Sequence, residues 1–244
     1  MQKITNYPHL QNPVTAVIPA YNEANHIGSL LDVLYQVKKL TQIIVVDDGS
    51  TDDTPDVVRS FCKRDARIQL VCLSANQGKG GAMLAGAQVS DNDLIVFLDA
   101  DLIGLHPKHV LALIEPVSNG TCSMTLGIFT QGRFQTDLTH RLTPFLSGQR
   151  CLSWSRFQST PDLALSRWGM EVALSLHAWQ NQHKTLAVPW RGVTHVLRPE
   201  KMTGNEGYWS HVQMWVDISR CLLRHFTELK ERGSNGTQRI SPSL

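Results

Sequence analysis

The strongest constraint on this chain is a repeated switch of hydrophobic period across its first half. Val14–Pro19 has the apolar character of a buried strand, and Ile27, Leu30, Leu31, Leu34 and Val37 then recur at helical spacing. A second β-branched run, Ile43–Val46, stops abruptly at Asp47-Asp48-Gly49-Ser50. Ser50 to Asp53 has capping-box spacing for a helix whose buried stripe is Val57, Val58 and Phe61. Ile68–Leu73 gives a third strand. The Gly-rich turn Asn76-Gln77-Gly78-Lys79-Gly80-Gly81 leads into a helix of small residues, with Ala82, Ala85, Gly86 and Ala87. Leu94–Leu98 is the fourth strand. Pro107 stands where a first-turn proline belongs, ahead of Val110, Leu111, Leu113, Ile114 and Val117. Strand and helix alternating in this way predict an α/β fold with a mostly parallel central sheet and helices on both faces.

Beyond Gly120 the pattern is less regular. Thr121–Gly127 and Gly148–Trp154 read as strands, and Trp168–Gln182 as a helix with Val172, Leu176 and Trp179 on one side. Leu186–Val188 and Val193–Val196 read as short strands, and Tyr208–Leu229 as an amphipathic helix. The segment Gly233–Leu244, rich in Ser, Gly, Pro and Asn, reads as a flexible tail. With no repeat and no linker in view, residues 1–232 are expected to form a single domain.

Composition narrows the function classes. The 244 residues are 42% hydrophobic and 18% charged, enough for a sizeable core. A formal charge of +2 without a basic block gives no case for nucleic-acid binding. Cys62, Cys72, Cys122, Cys151 and Cys221 are odd in number and scattered, which argues against a disulfide framework or a thiolate zinc site. That usage fits a reducing cytoplasm. The opening MQKITNYPHLQNP lacks the apolar core of a secretory signal. No apolar run approaches the roughly 20 residues of a membrane-spanning helix. The expected location is cytoplasmic, with peripheral contact at the inner membrane face left open.

Open α/β sheets bind ligands just past the carboxyl ends of their strands. Four such ends carry polar groups: Pro19-Ala20-Tyr21-Asn22-Glu23, Asp47-Asp48-Gly49-Ser50, Asn76–Gly81 and Asp99-Ala100-Asp101. Asp99 and Asp101 flank a small residue and can reach one hard cation, magnesium or manganese, of the kind that bridges carboxylates and phosphates. Their plain alternative is a turn cap. Asp48 can accept from the N–H groups of a nucleobase, or it can simply serve a turn with Gly49. Glu23 can hold ribose hydroxyls, or it can be a first-turn helix acid. Lys79 and nearby backbone amides can face an anion at a helix start. The GxxxxGK[ST] spacing is absent, and Met83 stands where GxGxxG needs its third glycine. A solvated lysine on a glycine turn is the competing reading.

Taken together, VIPAYNEANHIGSLL, IIVVDDGSTDDT, NQGKGGAMLAG and DLIVFLDADL resemble, in order and spacing, the nucleotide-sugar half of family-2 type glycosyltransferases with the GT-A fold. The resemblance spans roughly residues 14–105. It implies that Pro19, Ala20, Tyr21, Glu23, Asp48, Gly49 and Lys79 line the nucleotide pocket. It also implies that Asp99, Ala100 and Asp101 form the metal and diphosphate site. It divides the domain into a nucleotide-sugar half, 14–120, and an acceptor half, 121–232.

The second half carries looser matches. Arg167–Leu174 resembles a helix start of glucosyl-3-phosphoglycerate synthase-like enzymes, with Arg167 where a glycine is usual. At that place Glu171 faces the sugar or the acceptor; otherwise it is a helix N-terminal acid. Gly192-Val193-Thr194-His195 resembles the segment whose histidine completes the metal site, against the alternative of a core or strand-end histidine. Ser147-Gly148-Gln149-Arg150 resembles an acceptor loop. Arg150 there binds an acceptor phosphate through its fork, or makes a surface ion pair. Tyr208–Leu229 packs on the domain, or lies at a membrane interface or between two subunits of a homodimer.

The activity these resemblances imply is metal-dependent transfer of a hexose from a UDP- or GDP-sugar to a hydroxyl or phosphate acceptor. Phosphoglycerate-like and polyprenyl phosphate acceptors both fit. Asp101 acts with the metal, and Glu171 is the candidate base for a hydroxyl acceptor. Two rivals differ in class. A nucleotidyltransferase is disfavoured, because Ala20–Glu23 stands where a Gly-rich, Arg/Lys-containing signature follows the first strand. A non-catalytic protein that binds nucleotide sugar as a regulator or scaffold is the other.

Overall fold

The computed structural model describes residues 12–130, 147–161 and 170–196. Its main sheet has the strand order β3-β2-β1-β4-β7-β6-β8. Strands β1 (Val14–Ala20), β2 (Leu40–Asp47), β3 (Ile68–Cys72) and β4 (Leu94–Phe97) run parallel. β7 (Arg150–Ser153) lies antiparallel between β4 and β6 (Met124–Thr130), and β8 (Thr185–Arg191) pairs parallel with β6. Every residue of β2 is buried, as a continuous β-branched run in a central parallel strand should be. Pro189 is tolerated in β8 because that strand is the sheet edge among the described residues.

Helices cover both faces, as the alternation predicts. α1 (Ile27–Tyr35), α2 (Thr54–Cys62) and α4 (Pro107–Ser118) pack with Ile18, Val45 and Val96 on one face. α3 (Gly78–Gln88), α5 (Trp154–Gln158) and α6 (Met170–Gln180) pack with Val17, Ile44 and Phe97 on the other. The small residues of α3 let it approach the sheet closely. A Cβ on Gly86 would stand 2.5 Å from Val17 Cγ1 and 2.8 Å from Val46 Cγ2. Gly86→Ala therefore overpacks the sheet and is expected to cost about 1–3 kcal/mol. The urea midpoint should fall with the slope unchanged.

Several sequence expectations shift. Ser50 does not cap α2: the N-cap is Asp53, without a side-chain bond, and the Ser50 hydroxyl instead accepts from Asn22 N at 2.9 Å. The strand expected at Thr121–Gly127 begins at Met124, because Thr121 and Cys122 close a turn onto Asn119 and Pro116. The strand expected to reach Trp154 stops at Ser153, whose hydroxyl accepts from Arg156 N and starts α5. On α6 the buried face is Met170–Leu174 with Ala178; Trp179 is 71% exposed and Leu176 only half-buried. Of the three residues read on one side of this helix, only Val172 is buried.

A second, two-stranded sheet pairs β5 (Leu102–Ile103) antiparallel with β9 (Thr194–His195). Among the described residues the cysteines are free thiols, and no helix is long and apolar enough to cross a membrane. Tyr208–Leu229, Cys221, Arg167 and the tail lie outside the described residues.

Candidate active site

The chain leaves β1 toward β2 and β3 on one side and returns to β4 on the other. β1 and β4 thus border a topological switch point, and their carboxyl ends open the crevice where such sheets place ligands. Three loops meet there. Asn22, after β1, adopts φ +56° and its side-chain oxygen accepts from Thr51 N at 2.8 Å, tying the first loop to the second. Tyr21 is left 47% exposed. Glu23 precedes α1 rather than sitting in its first turn; its N–H donates to Thr54 and its carboxylate meets His26 Nδ1 at 3.0 Å.

Asp48, after β2, is 3% exposed. Its carboxylate accepts from Gln77 N at 2.7 Å and Gly78 N at 2.8 Å, two amides at the start of α3. A carboxylate suits the positive end of that helix. Gly49 has φ +74°, and a Cβ there would lie 3.1 Å from Asn76 N. Both the turn and the close approach call for glycine. These contacts fix where Lys79 leaves the helix start.

Lys79 Nζ lies 2.6 Å from Asp99 Oδ1 and 2.8 Å from Glu171 Oε1. Burial works against its charge, but the two carboxylates outweigh this and hold the ammonium above its ordinary range. Burial likewise works against ionised Asp99. Lys79 and His195 overcome it, despite Asp101 nearby, and keep Asp99 below the usual carboxylate range. The other Asp99 oxygen accepts from Gln149 Nε2 at 2.7 Å. β7 makes this possible: Phe97 pairs with Arg150, which sets Gly148 and Gln149 beside the residues that follow β4. Gly148 supplies the space, since a Cβ there would come within 2.8 Å of both Asp99 oxygens.

The short β5–β9 ladder aligns Leu102 with His195. His195 Nδ1 is 3.1 Å from Asp101 Oδ1, and its Nε2 is 3.7 Å from Asp99 Oδ2. Its ring stands edge-on to buried Phe129, at a centroid distance of 4.8 Å. One ligand atom from each of Asp99, Asp101 and His195 lies within 4.8 Å of the others. Two carboxylates and a neutral imidazole suit a manganese- or magnesium-like ion. His195→Ala should raise the half-saturating Mn2+ concentration on the order of 10–100-fold. An unchanged metal titration would remove His195 from the ligand set.

Arg150 departs from the reading as a surface residue. It is fully buried, so it makes no surface ion pair. Nε and Nη2 of its fork donate to the Ser147 carbonyl, and Nη1 to the Glu171 carbonyl at 3.1 Å. Burial lowers its pKa to about 10, with Glu171 and Asp99 opposing, so the cation persists at neutral pH. Arg150 thereby couples the 147–149 loop to α6 behind the site. Gln149, Gly148 and Asn22 lie in segments that the sequence singles out, but it assigns none of them an individual role in the site. The acceptor-loop resemblance of Ser147-Gly148-Gln149-Arg150 points to the first two as a segment.

Residues 15–173 match the profile of glycosyl transferase family 2. A dolichyl-phosphate beta-glucosyltransferase of Trichomonas vaginalis is 38% identical over 96 residues, 36% of this chain and 28% of its own length. An undecaprenyl-phosphate 4-deoxy-4-formamido-L-arabinose transferase of Edwardsiella ictaluri is 31% identical over 140 residues, 55% of this chain and 42% of its own. The chain thus spans less than half the length of these curated relatives. Glucosyl-3-phosphoglycerate synthase from Mycobacterium tuberculosis, crystallised with Mn2+, UDP and phosphoglyceric acid, superposes with a TM-score of 0.68 at 23% identity. That match covers 88% of this chain and 78% of the synthase. The same enzyme with Mg2+ and UDP gives 0.67. These likenesses bear out the expected GT-A fold.

Proposed function

From the premise that the chain belongs to glycosyl transferase family 2, we propose that it transfers a hexose from a UDP- or GDP-sugar to a phosphate-bearing acceptor, using a divalent ion. The observation that carries this reading is the meeting of Asp99, Asp101 and His195 beside Lys79 at the carboxyl ends of β1 and β4. Magnesium or manganese, when bound by these three residues, supplies positive charge to the departing diphosphate. Lys79, in the first turn of α3, serves the same anion. Pro19, Ala20, Tyr21, Glu23, Asp48 and Gly49 line the walls for base and ribose, at the ends of β1 and β2. Residues 14–120 serve the donor, and the remainder serves the acceptor.

The acceptor class follows from what the relatives are named for and from the chemistry of Glu171. The similar enzymes act on dolichyl phosphate, undecaprenyl phosphate and phosphoglyceric acid by name. A polyprenyl phosphate oxygen is already anionic and needs no strong base. A hydroxyl acceptor needs one, and Glu171, 7% exposed and 2.8 Å from Lys79, is the carboxylate in place to accept that proton. We place the protein in the cytoplasm, and a polyprenyl acceptor would bring it to the inner membrane face.

The test is mass-spectrometric screening of UDP- and GDP-hexoses with Mn2+ against 3-phosphoglycerate, polyprenyl phosphates and lipid extracts. A glycosylated acceptor with release of nucleoside diphosphate is expected. Tight nucleotide-sugar binding without turnover on any acceptor would instead establish the regulatory or scaffold alternative. Release of pyrophosphate would establish a nucleotidyltransferase.

A further inference from the structure

Lys79 sits on a group that a metal needs. Its ammonium takes Asp99 Oδ1 at 2.6 Å while Gln149 takes Oδ2 at 2.7 Å, so both oxygens of a candidate ligand already have partners within the chain. The same ammonium holds Glu171 at 2.8 Å. The Lys79 side chain is only 21% exposed and that of Asp99 16%, so water screens this pair weakly. A fixed positive charge at that distance opposes the arrival of a divalent cation at the same carboxylate. Yet Lys79 is rooted in the first turn of α3, an 11-residue helix whose start is pinned by Asp48. Its flexible four-carbon stem can turn while the backbone stays still.

We propose that Lys79 is an internal counter-ion that holds the metal-free site together and moves from Asp99 to the donor diphosphate when the nucleotide arrives. The inference rests on the metal and nucleotide reading above and adds a coupling to it. Before the nucleotide binds, Lys79 neutralises the repulsion between Asp99 and Glu171 and keeps the cation affinity of the site low. When the diphosphate draws the ammonium away, Asp99 becomes available to the metal. Glu171 loses its partner in the same movement and faces the acceptor as a free carboxylate. Metal and nucleotide then bind cooperatively, and by linkage each raises the affinity of the other by the same factor. Lys79 acts here as a positioning residue for the ligand carboxylate and for Glu171.

The experiment measures Mn2+ binding by the electron paramagnetic resonance of free Mn2+, with and without UDP. The Mn2+ held by UDP alone is subtracted. Wild type, K79M, K79Q and the charge-retaining K79R are compared, with folding checked by circular dichroism. Without UDP, K79M and K79Q should bind Mn2+ at least tenfold more tightly than wild type, while K79R stays within threefold of it. UDP should raise Mn2+ affinity strongly in wild type, and at least tenfold less in the two neutral variants. Neutral variants that bind Mn2+ no tighter than wild type would overturn the proposal. So would a UDP effect equal in wild type and K79M, since the ammonium would then not move on nucleotide binding. Absence of Mn2+ binding by every variant, even with UDP, would overturn the metal reading itself and the coupling with it. Intact metal binding with no coupling overturns the coupling alone.

Discussion

Asp101→Ala is expected to lower hexosyl transfer on the order of 10³-fold, the scale seen when a charge-stabilising group is lost from a pre-organised site. The side chain is 17% exposed and its carboxylate meets His195 Nδ1 at 3.1 Å. Its removal deletes one carboxylate and unties the imidazole that it orients, so two of the three candidate ligands are affected together. Asp101 is outside both apolar cores, so the fold should survive and the thermal midpoint should move little. Single-turnover transfer at increasing Mn2+ separates the outcomes. A large loss that excess Mn2+ only partly restores is expected. Full activity with unchanged metal dependence would mean that Asp101 holds no metal.

Gly148→Ala should be nearly as damaging, although it adds only one methyl group. The new Cβ would sit 2.8 Å from each Asp99 oxygen and against Lys79 Nζ. Lys79 can turn on its flexible stem, but Asp99 cannot step aside freely, because its Oδ2 is held by Gln149. The carboxylate must shift by a sizeable fraction of an ångström, and misplacements of about 1 Å cost on the order of 10²-fold in rate. Transfer and Mn2+ affinity should fall together while the melting temperature stays near that of wild type. Unchanged transfer would show that the 147–149 loop does not press on the site as described.

The donor side of the fold was legible because its signals are local. Each of β1, β2 and β4 is an apolar run that ends within a residue or two of the polar groups it positions, so strand and site are read in one short stretch. Asp99-Ala100-Asp101 gained its meaning from standing after the fourth such run. Ser50 shows how a local pattern can mislead: its capping-box spacing competes with a tie to Asn22, 28 residues away, and the tie wins. Trp179 fits a helical stripe, but nothing in the pattern marks which stripe faces the sheet.

The acceptor side depends on partners distant in sequence. Gln149 reaches Asp99 across 50 residues, through an antiparallel strand inserted into a parallel sheet. No periodicity announces that insertion. His195 is delivered by a ladder of two residues per strand, and the short strand read at Val193–Val196 gives no sign of its partner, so only its resemblance to a known segment identified it as a ligand candidate. Arg150 defied the rule that charged side chains point outward. Its burial is compensated by the Ser147 and Glu171 carbonyls and by nearby carboxylates, none of which is evident from its own neighbourhood in the chain.

The centre formed by Asp99, Asp101 and His195 can be tested most directly by anomalous diffraction at the manganese edge, from crystals grown with Mn2+ and UDP. A single strong peak is expected within coordination distance of both carboxylates, the His195 ring and the diphosphate, with Lys79 turned from Asp99 toward the phosphate. A peak elsewhere, or none while UDP fills the crevice at the ends of β1 and β4, would contradict the metal centre.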